Sequence, residues 1–186
     1  MSRRRIFFAA LGVACVAGGL AARSQPHAAE AAPRVPVVQW AGPVSAITGA
    51  QFIRIVDQSA WDELWARHRA DKLERNLRDW PVVPAIDFDR YMIVACFTGK
   101  DRVNDGEFVQ EIHRRDDTLV IRYASLSFQT AISDPNVKLP DLTCMPYGIW
   151  LIERHEGAIV IEQDKHRLLT EPPNWVEVHR FDRLGG

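Results

Sequence analysis

Tyr91-Met92-Ile93-Val94-Ala95-Cys96-Phe97 carries no charge over seven positions. A half-buried strand alternates apolar and polar residues. A run without alternation puts apolar side chains on both faces, so this stretch reads as a central strand. Upstream, Trp61, Leu64, Trp65 and His68 fall at i, i+3, i+4 and i+7, one face of a helix. Ser59 reads as its N-cap, with Asp62 three residues on as the Asp form of a capping box. Asp62, Glu63, Arg67 and Arg69 lie off the stripe. A second, polar helical stretch is expected over 72–79.

Before the helix, Gln51-Phe52-Ile53-Arg54-Ile55-Val56 alternates as a strand does, with 44–48 as an expected hairpin partner across Gly49. After the central strand, Asn104-Asp105-Gly106 is a tight-turn signal. Phe108, Gln110 and Ile112 then oppose Val109, Glu111 and His113, and Asp116-Asp117 turns the chain into alternating Leu119, Ile121 and Tyr123. Segments 147–153 and 158–162 read as a hairpin over His155-Glu156-Gly157, and 175–181 as a last strand. Prolines fall between these elements, where their missing N–H costs no ladder bond. Short turns do not make parallel crossovers. The expected class is therefore α+β: a mainly antiparallel sheet of six to eight strands, with one principal amphipathic helix (about 59–70) packed on one face.

The chain has 186 residues, 47% of them hydrophobic, with a formal net charge of −1. Its N-terminus differs from the rest. Ser2-Arg3-Arg4-Arg5 precedes an uncharged run from Ile6 to Ala22 that is rich in Ala and Gly. Such a run spans roughly 26 Å as a helix, short for a membrane crossing, and reads as an export signal. Ser2-Arg3-Arg4-Arg5-Ile6-Phe7 resembles a twin-arginine export motif, with ordinary secretory export as the alternative. The expected division is a signal at 1–31, an extended Pro-rich lead-in at 32–43 and one globular domain at 44–182. Cleavage after Ala31 leaves 155 residues with a net charge of −4. A mildly acidic domain of that size is expected to fold on its own, to bind no nucleic acid and to hold no membrane span. Its expected location is periplasmic or secreted.

The helix pattern Trp61-x-x-Leu64-Trp65-x-x-His68, followed by Ile86-Asp87-Phe88, the apolar strand ending Phe97-Thr98-Gly99 and the later Met145-Pro146-Tyr147, resembles the C-terminal domain family of PrcB, a subunit of a bacterial subtilisin-like protease complex. The resemblance covers roughly residues 52 to 164. The family's Gly-rich turn before an aromatic corresponds to Asp105-Gly106-Glu107-Phe108, here with Phe for the usual Tyr. The loop over 132–144 is longer than the family's compact pattern. The resemblance implies an exported interaction domain whose partner is an exported protease or another envelope protein. It implies no catalytic residues.

The remaining chemistry-bearing residues support the same expectation. Cys96 and Cys144 are the two cysteines outside the signal. In an oxidising compartment they are a disulfide candidate worth on the order of 4 kcal/mol; the alternative is two buried thiols. Trp61 and Trp65 at helical spacing read as core, with an aromatic ligand surface as the alternative. His68 ends that stripe and reads as a buried, hydrogen-bonded residue. Asp101-x-Val103-x-Asp105-Gly106 lacks the ligands of a calcium loop, with Ile112 where a Glu is needed. His113, His155 and His166, with Glu153 and Asp164, lack metal-ligand spacing. No Gly-x-Ser-x-Gly elbow and no phosphate loop occurs. No metal, cofactor or catalytic residue is expected. The Pro-rich loop over 133–146, with Val137, Leu139, Leu142 and Met145, is the candidate interaction element. Two other readings stay open, a small-ligand-binding periplasmic protein and an enzyme of unrecognised type.

Overall fold

The structure is a computed structural model that describes residues 35–69, 83–127, 143–165 and 172–185. Its elements are β1 (Val38–Gly42), β2 (Gln51–Ile55), α1 (Gln58–Arg69), β3 (Tyr91–Phe97), β4 (Asp101–Arg102), β5 (Asn104–Arg115), β6 (Thr118–Ser127), β7 (Thr143–Cys144), β8 (Tyr147–Glu153), β9 (Ile159–Asp164) and β10 (Trp175–Phe181). Among the described residues the fold is mostly β, with one short helix and antiparallel-rich sheets.

The uncharged run builds the centre. β3 lies between β8 and β2 in a four-stranded sheet ordered β1-β8-β3-β2, every pair antiparallel. Because side chains alternate across a strand, Met92, Val94 and Cys96 share one face of β3, and Ile93, Ala95 and Phe97 the other. The first set packs with Trp150 and Ile152 of β8 against Val109, Ile112, Ile121, Tyr123, Ile159 and Ile161 of a second sheet, ordered β10-β9-β6-β5. The second set packs with Ile149 and Leu151 against Trp61, Leu64 and Trp65 of α1. All seven β3 residues except Tyr91 are buried.

The helix forms where its stripe requires, but its cap differs from expectation. Asp57, not Ser59, caps it: Asp57 Oδ1 accepts from Ala60 N at 2.9 Å. Helix formation thus begins two residues earlier. Trp61 is fully buried, and its indole N–H donates to the Pro84 carbonyl at 3.0 Å. Trp40 of β1 closes an aromatic group around it, 5.9 Å from both Trp61 and Trp65.

Several connections depart from the expected ones. The described residues form ten strands in three sheets, the third being the two-residue ribbon β4-β7. Residues 44–48 form no strand beside β2. Instead Ala46 N donates to the His68 carbonyl and Ser45 Oγ lies 3.0 Å from His68 Nδ1, so this segment closes the C-terminal end of α1. Within the expected lead-in, Val38–Gly42 pairs with β8 as an edge strand. β8 and β9 are not a hairpin: the chain crosses between sheets at 154–158. β9 instead pairs with β6 in parallel, a geometry allowed by the long stretch between those two strands.

Asn104-Asp105-Gly106 is not a hairpin turn either. It lies within β5, where the register to β6 shifts between Asn104 and Glu107. Gly106 has φ +127°, and an added Cβ there would sit 2.5 Å from Gly42 N. A Gly with positive φ serves a bulge as well as it serves a turn. The turn expected at Asp116-Asp117 does join β5 to β6, with Asp116 at φ 55°.

Residues 1–34, 70–82 and 128–142 lie outside those described, and with them the expected signal, the first three residues of the lead-in, the second helical stretch, and Val137, Leu139 and Leu142. Among the described residues no helix is long and apolar enough to cross a membrane.

Trp61→Ala removes a fully buried indole from between helix and sheet. It should cost about 3–5 kcal/mol in urea or thermal unfolding; a loss under about 1 kcal/mol would show that the helix does not depend on this contact.

Candidate functional site

The sequence-motif residues are structural. Asp87 turns the chain into β3: its Oδ1 accepts from Asp89 N at 3.2 Å, and its carbonyl accepts from Arg90 N and Tyr91 N. The Phe88 carbonyl accepts from Arg154 Nη1 at 2.7 Å, while its ring packs on the helix-side core. Met145 is half-buried, its N–H donating to the Pro43 carbonyl.

His68 is completely buried beside Ser45, which superficially offers a base and a nucleophile. The arrangement is not poised for that chemistry. Ser45 Oγ accepts from Ile47 N at 3.0 Å, and the imidazole lies edge-on to Tyr147 with centroids 4.3 Å apart. Burial, and secondarily the charge of Arg69, lowers the His68 pKa from 6.5 to about 4. The ring is neutral at neutral pH.

The two cysteines do not form the disulfide considered above; both are free thiols. Cys96 points between the sheets and packs with Tyr123, whereas Cys144 lies in the ribbon opposite Asp101. Burial pushes the Cys96 thiol pKa up, so it is a packed apolar group rather than a thiolate.

Two places gather functional potential. The first is a cavity of about 320 Å³ near one end of the sandwich, bordered by Phe52, Cys96, Asp101, Glu107, Ser125 and Gln163 among others. Glu107 has no exposed surface. Its Oε2 accepts from Ser125 Oγ at 2.7 Å and its Oε1 from Asn104 Nδ2 at 3.0 Å. Gln163 donates onward to Ser125, and Asn104 also donates to Asp101. Burial raises the Glu107 pKa against the pull of those hydrogen bonds. Its backbone carbonyl accepts from the Trp150 indole at 3.1 Å. These bonds pin the β5 bulge onto both sheets.

The second is a wedge between β1 and β5. These strands are outer members of their respective sheets and share no ladder. They approach where Gly106 meets Gly42 and where Gln39 Oε1 accepts from Val109 N at 3.2 Å. Toward Val35 and Arg114 they leave a cavity of about 490 Å³. Its apolar wall is Val37, Ile112, Leu119 and Ile152, and its mouth carries Arg114, Glu153, Arg154 and His155. Val35 and Val37 are 67% and 55% exposed. Single exposed valines are ordinary; here two lie beside an apolar cavity at a strand edge that has no ladder partner among the described residues.

Neither place was singled out by sequence reasoning. Glu107 was read as part of a turn, and Val35 and Val37 as lead-in. The missed signal was alternation in Val35-x-Val37, hidden among prolines. Among the described residues no group of three or more His, Cys, Asp or Glu is placed to hold a metal. His166 lies outside the described residues. Comparison with protein-family models, curated proteins and solved structures finds no match to the chain.

Two pH effects follow. His68 binds a proton less readily in the fold than in the unfolded chain. Its contribution is therefore complete above pH 6.5 and lost as pH falls toward 4, on the order of 3 kcal/mol in all. His68→Leu should flatten stability across that window; an unchanged acid slope would refute this. Glu107 has the opposite sign, since ionising it inside the fold costs stability as pH rises. Glu107→Gln should gain in Tm relative to the unsubstituted chain as pH rises above the ordinary carboxylate value of 4.5. A pH-independent difference would mean that the fold does not raise the pKa of this carboxyl.

Proposed function

We propose that the chain is an exported, non-catalytic interaction domain that seats an extended segment of an exported protease or another envelope protein in the wedge between β1 and β5. The observation that carries this is the wedge itself: an apolar cavity flanked by exposed Val35 and Val37, between two strands with no ladder partner on that side among the described residues. A strand edge offers backbone donors and acceptors to an added strand, and alternate side chains fill the cavity. The PrcB-like pattern supports a protease-linked partner. The Arg-led apolar segment at 1–31 supports export. The burial of Ser45, His68 and Cys96 away from solvent supports a non-catalytic role.

The cavity beside Glu107 favours a second reading, binding of a small polar ligand. A thermal-shift screen with envelope metabolites distinguishes the two, because Glu107→Gln would abolish a shift due to that cavity while Val37→Arg would not.

A photo-crosslinking residue placed at Val37 should capture a discrete partner in the native envelope. The same residue at Glu177, exposed on β10, should not. Equal capture from both positions, or none from either, would overturn the docking reading.

A further inference from the structure

We infer that the segment seated in the wedge presents an apolar residue and, two positions away, a carboxylate that pairs with Arg114. This rests on the docking reading above and specifies its partner.

The argument is one of period and charge. Ile112 and Arg114 are two apart on β5 and line the same cavity, so they share a face. A strand added beside β5 would present its own side chains to that face with the same period of two. The residue opposite Ile112 meets an apolar floor completed by Leu119 and Ile152. The residue two positions away meets Arg114.

Among the described residues, Arg114 is the charge at the mouth that is left to a partner. Arg154 donates to the Val56 and Phe88 carbonyls and pairs with Glu156, so its guanidinium is engaged. Burial, and secondarily Arg114 itself, lowers the His155 pKa, which disfavours a second cation there. Glu153 faces the same cavity but has an interaction of its own. Arg114 is exposed and forms no ion pair with a described residue. A guanidinium beside a partly desolvated apolar groove selects a carboxylate and rejects an ammonium.

The test uses the purified chain and three labelled peptides of about ten residues with strand-forming composition, each with Val two positions before Glu, Gln or Lys. Fluorescence anisotropy should rank them Glu, Gln, Lys, with the Glu peptide about tenfold or more tighter than the Lys peptide. Arg114→Glu, an exposed substitution, should reverse the order. Equal affinities for the three peptides, with binding abolished by Val37→Arg, would overturn the carboxylate inference and leave the docking reading standing. Failure of all three to bind the unsubstituted chain would remove both.

Discussion

β3 has neither face in water, and the rest of the molecule is arranged around that constraint. Its residues supply one face to the interior between the two sheets and the other to the interior under α1. Seven apolar residues cannot be half-satisfied; each face needs a cover of its own. The second sheet and the helix are those covers. β8 repeats the pattern, with Trp150 and Ile152 on one side and Ile149 and Leu151 on the other. The fold is therefore layered, and its two cores meet through a single sheet of backbone.

The second sheet is tied to the first by the bulge in β5 as well as by apolar contact. Gly148 lies so close that a Cβ there would be 2.4 Å from the Glu107 carbonyl oxygen. Trp150 donates to that same oxygen, and the buried Glu107 side chain gathers Ser125 and Asn104. A buried carboxyl carries a desolvation cost that hydrogen bonds only partly offset. Here it lies beside Gly106, where β5 meets Gly42 of β1, and so near where the two strands begin to diverge. The position of the wedge follows from the position of the bulge.

The central strand, the helix stripe, the β5–β6 turn and the last strand were legible in the sequence because each depends on local period or turn chemistry. Trp61, Leu64, Trp65 and His68 could be assigned to one face from spacing alone. The pairing of strands could not. Whether 147–153 pairs with 158–162 or crosses to another sheet depends on which apolar faces meet at long range, and both choices bury the same residues. The bulge was misread because Asn-Asp-Gly suits a turn and a bulge equally well. The wedge was invisible because it is a gap between strands 70 or so residues apart, and two valines in a proline-rich stretch give no sign of what lies opposite them.

Strand order also bears on when the fold can form. β1 is hydrogen-bonded to β8, Val38 facing Leu151, and to no earlier strand. β6 and β9 pair in parallel across the whole of β7 and β8. Closing loops of that length is entropically costly and slow, and contacts so distant in sequence do not form until most of the chain is present. During synthesis the first strand has no ladder to join until β8 has been made. The molecule is thus obliged to stay open late, with β1 waiting for β8 and β6 for β9.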